Sequence, residues 1–272
     1  MRRLFISLLL SAILIPVLAQ ESLADKLPGC CERLSVSGIG IGNLGVLDEY
    51  MSPNVYRGPV MSLAFQRQRM MRKRDDWGRT SFLKIGFSPM KDRNGKGGYM
   101  SLIFDWHHSW DYICVRRGDF FLSAGPETFL KAGGILNLSN SNNPAQLKLY
   151  AAAAVSGNVS YRFLISNYPI TLDWKADLPL IGYNFAPTFG LQYYEIGYLG
   201  KFGEASHLAW PGNLFDLSQR VSVDLPVGEV MLRLSYLGDY YRYNMGNVRC
   251  RMYENSFMIG IIRRLEIKYN GR

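Results

Sequence analysis

Apolar and polar residues alternate in steps of two along most of this chain, and helical periodicity is nearly absent. The clearest run lies between Met100 and Tyr112. Met100, Leu102, Phe104, Trp106, His108, Trp110 and Tyr112 fall on one face; Ser101, Ile103, Asp105, His107, Ser109 and Asp111 fall on the other. Successive strand side chains point to opposite sides, so the pattern predicts a β-strand with one apolar and one polar face. The alternation returns at Met61, Leu63 and Phe65, along Leu147 to Val155, and from Val159 to Ile165 against Ser160 and Arg162. It returns again where Leu172, Trp174, Ala176 and Leu178 oppose Thr171, Asp173, Lys175 and Asp177, where Leu232, Leu234 and Tyr236 oppose Arg233 and Ser235, and from Arg264 to Tyr269.

Turn chemistry separates the runs: Asp92-Arg93-Asn94-Gly95, Arg117-Gly118-Asp119, Ser141-Asn142-Asn143-Pro144, Ser156-Gly157-Asn158, Trp210-Pro211-Gly212-Asn213 and Met245-Gly246-Asn247. Gly, Asn and Asp supply the positive φ angles of hairpin turns. The spacing predicts roughly twelve strands, with an even number expected when both termini lie on one side of a membrane. Past residue 20 every apolar stretch is broken before it could cross a bilayer as a helix. A spanning chain of this kind must close its sheet, because lipid leaves no partner for an open edge. The expected fold is therefore all-β, a closed antiparallel transmembrane β-barrel. Trp106, Trp110, Tyr112 and Trp174 near strand ends suit interfacial girdles, and mid-strand charges on the opposite faces suit a wet lumen. A secreted soluble β-sandwich that binds glycans is the competing architecture, since its inner faces alternate in the same way.

The first residues set the expected address. Arg2 and Arg3 precede an apolar run from Leu4 to Leu18, and Val17-Leu18-Ala19 offers a cleavage site before Gln20. This is the layout of a signal peptide over residues 1–19. Residues 20–32 are read as a periplasmic tail, residues 33–272 as the outer-membrane barrel, and residues 201–216 as a longer loop. Leu27-Pro28-Gly29-Cys30 looks like a lipoprotein box, but Glu21, Asp25 and Lys26 separate it from the apolar run. The net charge of +9 falls to +7 without Arg2 and Arg3. The densest basic cluster is Arg67, Arg69, Arg72, Lys73 and Arg74. Without a nucleic-acid motif, that cluster reads as a hairpin end facing anionic lipid or sugar phosphates. Expected partners are outer-membrane lipid, lipopolysaccharide and the barrel-assembly machinery, with no nucleic acid. Cys30, Cys31, Cys114 and Cys250 allow three disulfide pairings, and three histidines without a Cys-x-x-Cys pair give no zinc pattern. Neither a metal nor another cofactor is expected.

Several motifs carry a family resemblance. They are Leu47-Asp48-Glu49-Tyr50-Met51-Ser52-Pro53 with Tyr56-Arg57-Gly58-Pro59, and Gly133-Gly134-Ile135-Leu136-Asn137-Leu138 with Asn142-Asn143-Pro144-Ala145. Further on come Leu178-Pro179-Leu180-Ile181-Gly182, Phe185-Ala186-Pro187, Tyr193-Tyr194-Glu195-Ile196 and Val223-Asp224-Leu225-Pro226. In order and spacing the chain resembles an uncharacterised family of Bacteroidetes outer-membrane barrels with a signal peptide. The resemblance implies a barrel in the outer membrane and no activity.

Candidate chemistry centres on His107-His108-Ser109. His107 and Ser109 share a strand face with Asp105, and a hydroxyl nucleophile needs a base and a group to orient that base. This arrangement is similar to the paired His and Ser of outer-membrane phospholipases and lipid A deacylases. Alternation points these residues into the lumen, however, and lipid arrives from the other face. The remaining phospholipase signature is absent. The functional expectation is therefore a pore, transport or structural envelope protein, with a lipid-modifying enzyme as the alternative. Arg162, Asp173, Lys175, Glu195 and Arg233 are the candidate lumen-facing polar residues. Glu195 is expected to pair with Arg162 or Arg233 and constrict the interior. Asp48-Glu49-Tyr50 has carboxylates for a cation but no calcium-loop spacing, and reads as a turn.

Overall fold

Ten long strands pair antiparallel with their neighbours, and the last pairing closes the ring. They are β1 (Glu32–Asp48), β2 (Ser52–Met71), β3 (Arg74–Lys91), β4 (Gly98–Arg117), β5 (Phe120–Asn137), β6 (Ala145–Ile165), β7 (Tyr168–Phe185), β9 (Leu214–Val227), β10 (Val230–Met245) and β11 (Val248–Glu266). β1 joins β11, and β7 lies between β6 and β9. An eleventh strand, β8 (Ser206–Ala209), lies outside the ring order and pairs with Gly182–Phe185 at the end of β7. Two short helices, α1 (Tyr193–Tyr198) and α2 (Phe202–Ala205), precede it. This is a computed structural model, and it describes residues 32–71, 74–95, 97–139, 145–165, 168–228 and 230–266. The expected leader, the tail up to residue 31 and the turn at Ser141–Pro144 lie outside the described residues.

The closed all-β barrel agrees with the alternation, but the count is ten and not about twelve. Ser156-Gly157-Asn158 is not a turn. Gly157 pairs with Ala124 on one side and Ala176 on the other, so β6 runs unbroken for 21 residues. A sheet ladder on both edges overrides the local preference of three turn-forming residues. The ring strands are 14 to 21 residues long, well beyond the 9–11 that cross a bilayer. Fewer, longer strands therefore use the same chain.

The two ends differ. At the end where β1 begins and β11 ends, only two residues separate successive strands: 72–73, 118–119, 166–167 and 228–229. The opposite end carries segments 49–51, 92–97, 138–144, 186–213 and the tight pair 246–247. Gly246 (φ 59°) and Asn247 (φ 60°) both sit in the left-handed region, which matches the twist of the flanking strands in a two-residue hairpin. The loop read at 201–216 is part of the longer excursion 186–213, which folds as α1, α2 and β8.

Alternation assigns the faces. Along β4, Leu102, Phe104, Trp106, His108, Trp110 and Tyr112 point outward, while Ser101, Ile103, Asp105, His107, Ser109 and Asp111 are buried inside. Exposed apolar side chains such as Ile39, Ile41, Met61, Leu63, Phe257 and Ile259 cover the outer wall. Among the described residues, no helix is long and apolar enough to cross a membrane.

Candidate functional site: a charged barrel interior

Polar side chains from the minority face of each strand meet inside the ring and tie its walls together at four levels. Nearest the loop-bearing end, Lys148 on β6 donates to Asp48 on β1 at 2.5 Å, with Tyr243 and Cys250 each 3.3 Å from the same ammonium. Five pairing steps separate β6 from β1 in either direction around the ring, so this contact crosses its full width. Tyr56 and Tyr99 stack at 3.5 Å beside it. Above, the segment before α1 rests on the rim: Tyr50 donates its hydroxyl to Leu191 O at 2.7 Å, and Leu147 N–H donates to the Tyr193 hydroxyl at 2.7 Å.

At the next level two lysines share four carboxylates. Lys84 contacts Asp105, Asp239 and Glu254 at 3.1, 3.7 and 2.9 Å. Lys131 contacts Asp105, Asp216 and Asp239 at 3.6, 3.4 and 3.1 Å. Buried charges need partners of this kind, because leaving a single ion in a dry interior costs several kcal/mol or more.

The third level holds the residues singled out from the sequence. His107 Nδ1 lies 2.9 Å from Glu127 and 3.5 Å from Asp177. Lys175 donates to Ser109 Oγ at 2.6 Å, and Ser109 donates to Asp111 at 2.9 Å. Thr80 and Ser156 also donate to Asp111, at 2.9 and 2.7 Å. Arg220 reaches across from β9 to lie 3.8 Å over the Phe82 ring and 3.4 Å from Asp177. Below, Arg233 makes a two-point contact with Asp224 at 2.6 and 2.7 Å, and reaches Gln66 and Asp173 at 3.2 and 3.3 Å.

The structure brings Asp105, His107 and Ser109 onto one face but not into one triad. Asp105 belongs to the lysines, His107 to two carboxylates, and Ser109 to Lys175 and Asp111. Lys175 also stands 3.7–3.8 Å from Asp111, Glu127 and Asp177, so its ammonium is shared among three carboxylates and Ser109. Ser109 is fully buried. The internal voids nearest these groups measure about 10 to 30 Å³, room for a water or two and not for a lipid. Asp173, Lys175 and Arg233 face inward, and Arg162 is half-buried on the inner face of β6. Glu195 is a correction. It sits on α1, outside the ring, and pairs with Lys201 at 3.1 Å instead of a lumen arginine. Its carboxylate also accepts the Gln192 N–H at the helix start, a local partner that the i to i+3 spacing favours over a distant one.

Asp48 and Glu49 do not share a site. Asp48 turns inward to Lys148, whereas Glu49 pairs outside with Arg249 at 2.6 Å. Cys114 is exposed and Cys250 is buried, both as free thiols. Among the described residues, His107, Glu127 and Asp177 alone have the spacing of a metal site, their ligand atoms lying within 4.8 Å of one another. Lys175 and Arg220 already supply the cations those carboxylates need. Sequence reasoning missed Lys84, Glu127, Lys131, Lys148, Asp216, Arg220, Asp239 and Glu254. Their signal was available: Lys84 between Leu83 and Ile85, or Lys148 between Leu147 and Leu149, is a charge on the inner face of an apolar strand.

A ring of ten strands around an ion-paired interior defines a closed antiparallel β-barrel. The chain belongs to the family described as Protein of unknown function (DUF3316), whose model matches residues 5–270. No curated protein matches it. Similar solved structures include the outer membrane protease OmpT from Escherichia coli, at 7% identity, covering 89% of this chain and 100% of that one, with a TM-score of 0.49. The translocator domain of the autotransporter NalP from Neisseria meningitidis is 8% identical, covers 91% and 94%, and has a TM-score of 0.40. Neisserial surface protein A is 8% identical, covers 84% and 96%, and has a TM-score of 0.33. Neither fold nor chemistry is carried over from them; the barrel stands on this chain's own strand pairing.

Proposed function

We propose that this chain is exported by a cleaved leader over residues 1–19 and serves in the outer membrane as a closed, non-conducting barrel with a structural envelope role. The outer wall supports the membrane placement. On β2, Arg57 and Arg67 bracket the exposed apolar residues Met61, Leu63 and Phe65. Ten residues at ~3.3 Å each give ~33 Å along the strand. A tilt near 40° reduces this to ~25 Å, the height of a barrel's lipid-facing band. Trp77, Trp110, Tyr112 and Trp174 lie on the outer face toward the end with short turns, as an interfacial girdle requires. That end is the periplasmic side by its two-residue turns.

The observation that carries the closed reading is the Lys148–Asp48 contact across the full width of the ring, backed by Arg220 against Phe82 two levels further down. Side chains fill a small barrel in this way when nothing is meant to pass. A lipid-modifying role has no support in the geometry, since Ser109 and His107 are sealed inside. Planar-bilayer recording of the refolded protein tests the proposal. Silence at moderate voltage is expected, and steady ion-selective steps refute it. Extraction is the companion measurement: a soluble sandwich would stay in the aqueous phase without detergent.

A further inference from the structure

On the outer wall at the loop-bearing end, like charges face one another. Arg242 on β10 is the direct cross-strand partner of Arg251 on β11, and Arg57 on β2 is the partner of Lys91 on β3. All four are exposed. Like charges directly opposite destabilise a sheet, and among the described residues none of the four has a carboxylate at ion-pair distance. Neighbouring Arg249 differs, since Glu49 neutralises it at 2.6 Å.

The surroundings narrow what could neutralise the other four. On β1, which separates the two pairs, Gly45 is the partner of Arg57 and of Tyr253, and Leu47 is the partner of Arg251. The Arg57 side chain leans over Gly45, its Cγ 3.8 Å from where a Cβ there would be. The two cation pairs therefore flank β1 as a diagonal strip across β3, β2, β11 and β10, offset from one another by two residues. Two residues below Arg242 and Arg251, Tyr240 and Tyr253 meet edge to face at 4.7 Å. Below the tyrosines, Leu234, Phe257 and Ile259 are exposed. From loop end to wall centre the order is cation pair, aromatic pair, the Gly238–Asn255 pair with Asn255 accepting from the Tyr236 hydroxyl, then apolar surface.

We propose that this strip binds the phosphorylated sugar headgroup of an outer-leaflet glycolipid, that is, lipopolysaccharide. Phosphate oxygens accept two parallel hydrogen bonds from an arginine fork, a sugar ring covers the tyrosine faces, and acyl chains run down the apolar wall. An ordinary anionic phospholipid supplies the phosphate but no sugar for the aromatic step, and the loop-bearing end faces the leaflet that holds glycolipid. The site rests on the membrane reading above.

The test uses the full chain refolded in uncharged detergent micelles, with heat-modified electrophoretic mobility as the check on folding. Binding of fluorescent lipopolysaccharide is compared with that of dephosphorylated lipopolysaccharide and of phosphatidylglycerol. The variants are R242Q/R251Q and, at the opposite end of the wall, R79Q/R263Q, both exposed. Expected is saturable binding of lipopolysaccharide that weakens about tenfold or more in R242Q/R251Q, weakens similarly on dephosphorylation, and survives in R79Q/R263Q. Equal binding of phosphatidylglycerol, an unaffected R242Q/R251Q, or a folded wild type that fails to bind each overturn the site while leaving the membrane reading intact. A chain that stays in the aqueous phase without detergent overturns both.

Discussion

Lys148 and Asp48, one hundred residues apart in sequence, meet at 2.5 Å from opposite walls of the barrel. Each is almost wholly shielded from water, and Tyr243 and Cys250 complete the ammonium's surroundings. The contact spans the interior near its loop-bearing mouth and ties β6 to β1.

Breaking the pair from one side leaves a buried charge alone. K148M is expected to lower stability by about 3–5 kcal/mol, and D48N/K148M to recover most of that loss. Urea unfolding of the two variants in micelles, with D48N completing the cycle, measures it. Additive losses would show that the two residues are not coupled.

Ser109 accepts from Lys175 and donates to Asp111 inside the ring. S109A is expected to cost about 1–3 kcal/mol by leaving buried polar groups unpaired. Phospholipid and lipid A turnover should be undetectable in wild type and variant alike. Turnover that S109A abolishes would restore the lipid-modifying reading.

Arg220 and Arg233 fill the half of the interior nearest the chain termini. Replacing both with serine removes two cations and much volume, and leaves Asp173, Asp177 and Asp224 facing the opening. R220S/R233S is expected to show small cation-selective conductance steps where the wild type is silent. Bilayer recordings of folded variant protein decide the matter, and anion selectivity would contradict the charge assignment.

The loop 186–213 carries its own pH response. The Gln192 N–H and then the Lys201 ammonium hold the Glu195 carboxyl below its ordinary value of 4.5, and Glu195 in turn raises Lys201 above 10.5. A carboxylate lowered in the folded state contributes stability above its unfolded value and loses it as pH falls through the folded one. Hydrogen-exchange protection of α1, corrected for intrinsic rate, should therefore be level through neutral pH and decline as pH falls below the ordinary value of 4.5. E195Q should remove the acid step. An acid step that persists in E195Q would assign it elsewhere.

Strand faces were legible because period-two alternation depends on neighbours two residues apart. Val159, Tyr161 and Phe163 against Ser160 and Arg162, or Leu172 and Trp174 against Asp173 and Lys175, identify the sides of a strand without knowledge of what lies beyond. The count of strands was less legible. Ser156-Gly157-Asn158 has the composition of a turn, and only its ladder partners on β5 and β7 show that β6 continues through it. Glu195 illustrates the converse: a local helix-start contact and Lys201, six residues away, won over the lumen arginines.

The alternating pattern by itself determined an all-β chain with an apolar outer wall and a polar inner one, because each strand's two faces are written in consecutive residues. Which inner residues meet was decided only by closure of the ring and by strand register. Lys148 finds Asp48 because opposite walls face one another, Lys84 finds Glu254 because β1 pairs with β11, and His107 finds Glu127 through the register of adjacent β4 and β5. Paired cations on the outer surface also depend on register, since a one-residue slip between β10 and β11 would part Arg242 from Arg251.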